Sequence, residues 1–200
     1  CRRKSRFEAD RSPGKRIRFT VNSLRPDYAA RTFCSTFRRR DISVFYGGKE
    51  ADLQDLIRFE YPPEIISAFA VAGPKESDGP IGDLIHARLA SDKFGEGTFE
   101  KAERKMLTYA IDHAIAGTPY PPEEIGAIFS GDLLNQIVSA TFAAREFPVP
   151  MVGLYSACST MSESLAVASA FLSAGYLESA VAATGSHFAS AERQYRFPLE

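Results

Sequence analysis

The stretch YSACSTMSESLAVAS, residues 155 to 169, sets Cys158 among small residues where an apolar run passes into a helical pattern. A thiol at a helix N-terminus meets unsatisfied main-chain N–H groups and the positive end of the helix dipole, which favour thiolate over thiol. The small neighbours Ser156, Ala157 and Ser159 suit a sharp strand-to-helix elbow of the kind that presents a nucleophile to a cavity. Cys158 therefore reads as part of a ligand pocket's floor or as a nucleophile, against the plain alternative of a small residue that had to fit. Two further groups carry chemistry. Ser186 and His187 follow AVAATG, with Arg193 and Arg196 beyond them in AERQYRF. The imidazole can accept or donate a proton, and the guanidinium groups can pair with a carboxylate. Asp132 and Asn135 follow AIFSG in GDLLNQ. Asp132 is equally well placed to cap the next helix, and Asn135 to bond only main chain.

These groups belong together only if the strands before them run side by side. EIISAFAVAG, Glu64 to Gly73, is a near-continuous apolar run after Pro62 and Pro63, as for a strand buried on both faces. A Gly- and Pro-rich loop follows, with a short helix around Ile81 to Ala90. Thr98 caps a helix to about Ala116, stopped by Gly117, with Phe99, Ala102, Met106, Ala110 and Ala114 on its apolar face and Glu100 and Glu103 near its positive end. His113, beside that stripe, reads as a packing residue. A strand at about Ala127 to Ser130 leads to a helix from about Leu133 to Phe147. A strand at about Met151 to Tyr155 leads to a helix from about Ser159 to Ala174, stopped by Gly175. ESAVAATG supplies one more strand. This alternation predicts an α/β fold with a largely parallel sheet, and in such sheets ligands gather at the carboxyl ends of the strands. The helix after Cys158 is apolar on every side, which places it in the interior with only its first turn and a half open to ligand.

Residues 1 to 50 contain 14 Lys+Arg against 5 Asp+Glu, and residues 51 to 200 contain 10 against 20. This shift divides the chain into a basic head, residues 1–55, and an acidic body, residues 56–200. The head shows no clear period and reads as disordered or wrongly translated sequence; an arm for nucleic acid or anionic membrane is the weaker reading, and nucleic acid is not an expected partner. Three cysteines without C-x-x-C spacing and three separated histidines support neither a disulfide framework nor a zinc site, so neither metal nor cofactor is expected. A reducing, cytoplasmic-type compartment is the default. The apolar stretches fall short of the roughly 20 residues that a spanning helix requires.

Four segments in one order, AVAGPKESDGPIG, SGDLLNQ, ACSTMSESLAVAS and ATGSHFASAERQYRFPLE, resemble the stage V sporulation protein AD family of spore-forming bacteria, over about residues 57 to 200. The resemblance implies the first half of a thiolase-like fold, with a mixed, mostly parallel five-stranded sheet and a buried central helix, and with Cys158 where condensing enzymes keep their nucleophile. It implies binding of dipicolinic acid, pyridine-2,6-dicarboxylate, and its movement into the developing spore beside other stage V sporulation A membrane proteins, at the periphery of the spore inner membrane. Self-association through the sheet edge is a further expectation. No enzymatic activity is implied; an acyltransferase using Cys158 is the alternative. Such a dianion calls for an apolar slot and for donors or cations, which Cys158, Ser159, Ser186, His187, Asp132, Asn135, Arg193 and Arg196 are the candidates to supply. The second thiolase half does not follow within the chain, so the sequence reads as a partial gene product with an apolar face left uncovered.

Overall fold

The computed structural model describes residues 31–38, 57, 59 and 61–196. Six strands form one sheet: β1 (Arg31–Arg38), β2 (Glu64–Ala72), β3 (Ala87–Arg88), β4 (Ala127–Gly131), β5 (Met151–Gly153) and β6 (Ser179–Thr184). Their order is β3-β2-β1-β6-β4-β5. β1 is antiparallel to both β2 and β6, while β2 with β3, β4 with β5 and β4 with β6 are parallel. Every strand except β1 therefore runs in one direction, and five strand exits share an edge.

Among the described residues, five α-helices complete the fold: α1 (Pro74–Ser77), α2 (Phe99–Ala116), α3 (Val138–Ala144), α4 (Thr160–Ser173) and α5 (Phe188–Arg196). The two-residue period of β4 sorts them into layers. Ile128 faces α2 and α3 in a core that includes Met106, Leu107, Ile111, Ala140 and Val181. Ala127 and Phe129 face α4 in a second core with Ala168, Leu172 and Ala182. Both faces of β4 are thereby covered, as its fully buried pattern requires.

Local chemistry explains the boundaries that were legible. Thr98 Oγ1 accepts the N–H of Lys101 to start α2, and the N–H of Gly117 closes it on the His113 carbonyl. Ala102, Met106, Ala110 and Ala114 are fully buried, as their spacing predicts. Gly175, at φ 78°, takes the left-handed conformation that stops α4.

Five expectations need correction. Among the described residues the sheet has six strands, not five. One of them, β1, comes from the basic head: Arg31–Arg38 lies between β2 and β6, burying Cys34 and Thr36. The reading of residues 1–30 and 39–56 falls outside the described residues. The helix expected over 81–90 is a single tight turn, Gly82–Leu84, followed by β3. Pro80 and Gly82 break the helix there, and a Cβ on Gly82 would strike the Ser77 carbonyl. The helix expected over 133–147 reaches only Val138–Ala144, because Gln136 and Ile137 adopt left-handed backbone at φ 59° and 46°. Last, α4 is not an interior helix. It buries Thr160, Ser164, Ala168, Ser169 and Leu172 against the sheet, while Phe171 remains 38% exposed, because no described residue covers its outer face.

Candidate functional site

The register aligns Gly131 with Thr184 and Ser130 with Gly153, so the exits of β4, β5 and β6 lie on the same edge. Asp132 and Ser186–His187 follow directly. Cys158 comes five residues after β5. The packing then divides these groups. His187 lies against Phe99 of α2, with ring centroids 5.1 Å apart, whereas Cys158 opens α4 on the other face of the sheet. No hydrogen bond joins the two among the described residues.

The elbow at Cys158 has the form that its small residues suggest. Ala157 sits at φ 47°, a left-handed conformation that a residue with a Cβ seldom adopts. Local bonds hold it: Ser159 Oγ donates to the Ser156 carbonyl at 2.8 Å and lies 2.7 Å from Ser156 Oγ, and Thr160 Oγ1 donates to the Ala157 carbonyl at 2.8 Å. Cys158 is exposed, and Ser159 is committed to this turn.

The other candidates are largely engaged in holding the fold. Asp132 is fully buried; its carboxylate accepts the N–H of Leu134 at 2.7 Å and of Ala140 at 2.6 Å, fixing the loop into α3. Burial raises its pKa, and these main-chain donors oppose the rise. His187 is also fully buried. The Ala189 N–H points at Nδ1, 3.3 Å away, which makes Nδ1 the acceptor and leaves Nε2 to donate to the Asp92 carbonyl at 2.9 Å. Asn135 is exposed, and its main-chain N–H donates to Gln194 Oε1 at 2.8 Å. Ser186 is half-buried. Arg193 is ion-paired with Glu100 of α2; burial raises the Glu100 carboxyl, but a main-chain hydrogen bond and then Arg193 hold it below its ordinary value. The side chain of Arg196 lies outside the described residues.

Two features of this edge were not singled out from the sequence. One is a cleft of about 310 Å³ between residues 73–76, residues 90–92 and Phe188. Its walls follow β2, β3 and β6. Lys75 Nζ stands 4.7 Å from the centre of the Phe188 ring, and it meets no carboxylate among the described residues, although Glu76 and Asp92 share the lining. The other is Glu103, fully buried and 2.6 Å from Ser190 Oγ of α5. Burial first, then the neighbouring Asp132 and Glu100 charges, push its carboxyl up to about 8. The signal for Glu103 was its position: four residues after Phe99, on the apolar stripe of α2. Among the described residues, no three His, Cys, Asp or Glu side chains gather as a metal site would require, and no helix is long and apolar enough to cross a membrane.

Comparison with known proteins matches residues 54–200 to the family model described as stage V sporulation protein AD. Over 142 residues, 71% of this chain, the sequence is 41% identical to stage V sporulation protein AD of Bacillus subtilis strain 168. The chain spans 42% of that relative's length. With these segments matched in order along an α/β body, the chain belongs to the stage V sporulation protein AD family.

Proposed function

We propose that this chain is the first half of a thiolase-like, non-catalytic protein that binds dipicolinate and supports its movement into the developing spore. The fold reading draws support from the sheet: parallel β6, β4 and β5 lie beside a helix, α4, and the tight turn that leads into it, Ala157–Ser159, carries Cys158. The observation that carries the non-catalytic reading is the state of His187. Both its ring nitrogens are occupied by main-chain groups, it is fully buried, and α4 lies on the other face, so His187 does not serve Cys158 as an acid–base partner.

For the ligand, the cleft beside α1 offers an ammonium over an aromatic ring, with no carboxylate partner among the described residues. A flat dicarboxylate can lay its ring against Phe188 and set one carboxylate on Lys75. Asp92 opposes a dianion in that position. Equilibrium dialysis should therefore give saturable dipicolinate binding that weakens about tenfold in Lys75→Met and tightens about two- to fivefold in Asp92→Asn. Unchanged affinity in both variants moves the ligand out of the cleft, and Cys158→Ala and Ser159→Ala then test the opposite rim. An absence of saturable binding removes the reading. At the sheet edge, the exposed side of β5 is the place for the proposed homodimer, and the partner membrane proteins of the same sporulation group remain part of the proposal.

A second reading, acyl transfer through Cys158, is favoured by the left-handed Ala157 and the exposed thiol at the mouth of α4. The expected outcome is negative: incubation with an acyl thioester leaves the intact mass unchanged. A stoichiometric acyl adduct that disappears in Cys158→Ala would establish the nucleophile instead.

A further inference from the structure

Ser190 Oγ lies 2.6 Å from Glu103 Oε2 and 2.9 Å from the main-chain oxygen of His187. A hydroxyl has one hydrogen to donate, and an ionised carboxylate and a carbonyl can only accept. With Glu103 ionised, the one Ser190 hydrogen has to be shared between two acceptors; with Glu103 protonated, each contact is a separate hydrogen bond, Glu103 donating to Ser190 and Ser190 donating to the His187 carbonyl. The contrast with Asp132 agrees with this assignment. Each oxygen of Asp132 receives a main-chain N–H, whereas Glu103 Oε1 meets no main-chain donor among the described residues. The two buried carboxyl groups thus differ in surroundings: main-chain donors favour the charged form of Asp132 against its burial, whereas burial favours the neutral form of Glu103.

The bonds continue outward. The His187 ring donates from Nε2 to the Asp92 carbonyl at 2.9 Å, and Phe188, the next residue, lines the cleft with Asp92. The charged groups acting on Glu103 are Asp132 from the loop after β4 and Glu100 on α2, the latter paired with Arg193 of α5. Ser139 reaches it from α3, and Gly185, beneath it after β6, contributes no side chain. From β1, the buried Cys34 thiol is held in its neutral form. We propose that Glu103, Ser190 and His187 form a proton-held latch, fastening the first turn of α5 and the turn at Asp92 onto α2, so that loss of one proton from Glu103 frees two walls of the cleft.

The latch is independent of which ligand the cleft takes, so its test uses none. Native-state hydrogen exchange on the 200-residue chain at pH 5.5, 6.5 and 7.5, corrected for the chemical exchange rate, reads the opening of residues 190–194. Opening exposes a carboxyl of ordinary value near 4.5 where the closed state holds it to about 8. One proton is then released per opening, so the opening constant should rise about tenfold per pH unit in this window and level off above about 8. Glu103→Gln keeps a donor for Ser190 but has no proton to lose, and its slope should be near zero. Ser190→Ala, which removes the hydroxyl between Glu103 and His187 while leaving the buried acid, should keep the slope but raise the opening constant of α5 at all three pH values, and serves if Glu103→Gln does not fold. The latch is overturned by a flat profile in the parent, by an undiminished slope in Glu103→Gln, by an unchanged opening constant in Ser190→Ala, or by α5 amides that open only with the free energy and slope of the α4 amides, which would mean global unfolding.

Discussion

Glu103→Gln should change the pH dependence of the chain's global stability, because the carboxyl is buried uncharged while the unfolded chain ionises freely. The sign follows from the proton count. Below about pH 4.5 the carboxyl is protonated in both states and its ionisation contributes nothing. Between about 4.5 and 8 the unfolded state loses the proton and the folded state keeps it, so stability falls by about 1.4 kcal/mol per pH unit. Across that window the loss reaches roughly 5 kcal/mol, which is a large share of a typical domain's stability. Above about 8 the folded carboxyl ionises too, beside Asp132 and Glu100, and the fall levels off. Urea denaturation from pH 5 to 9 should therefore show the parent losing stability on this course, with the Glu103→Gln curve much flatter. Parallel curves would mean that Glu103 is ionised in the folded chain. Solvent screening does little to soften the effect, since the side chain is fully buried.

The same residue marks a boundary of what the sequence discloses. Elements set by local rules were legible. Thr98 and Gly117 bracket α2, the stripe through Met106, Ala110 and Ala114 faces the core, and the apolar runs at 64–72, 127–131 and 179–184 form strands in the directions expected. Partners that depend on tertiary packing were not. Strand β1 was hidden because its buried positions, Cys34 and Thr36, are small and stand in a stretch crowded with arginine, so that only the ladders to β2 and β6 define it. The left-handed pair Gln136 and Ile137 shortens α3 without a glycine to announce it.

For the site, the edge was legible and the assignment of roles was not. Parallel strands do bring Asp132, Cys158 and His187 to one end of the sheet, yet the period-two alternation that sends helices to opposite faces also decides which of them can meet. Asp132 acts as the cap that its position before α3 allowed, and His187 as a tether between main-chain segments. A carboxylate on an apolar stripe, as Glu103 is, was the cue that spacing offered, and Lys75 and Phe188 could be paired only by the fold. Lys75, without a carboxylate partner among the described residues, and the open cleft lie toward β2 and β3, away from the turn before α4 that carries Cys158.

The position that joins these two halves is Gly131, and Gly131→Ala should destabilise the chain by at least about 3 kcal/mol. Gly131 ends β4 where the chain from β5 and the first residue of α4 converge. Its carbonyl accepts the Gly185 N–H and the Thr184 hydroxyl, both at 3.2 Å, while the neighbouring Ser130 carbonyl accepts the Leu154 N–H at 2.9 Å. A Cβ at this point would overlap the Leu154 carbonyl and stand 2.9 Å from Thr160 Cγ2. The carbonyl belongs to the backbone and cannot rotate aside, so either β5 must separate from β4 or the start of α4 must move, and the second displacement carries Cys158 with it. Gly97 provides the control, because a Cβ there meets nothing within 4 Å and its replacement by Ala should stay within about 0.5 kcal/mol of the parent. Urea midpoints measure the stabilities, and the rate of Cys158 modification by a thiol reagent, read by intact mass, should change in Gly131→Ala alone. Equal midpoints for the two variants would show that the edge yields where its backbone contacts require it to be rigid, and with that the close junction of β4, β5 and α4 would no longer account for the position of Cys158.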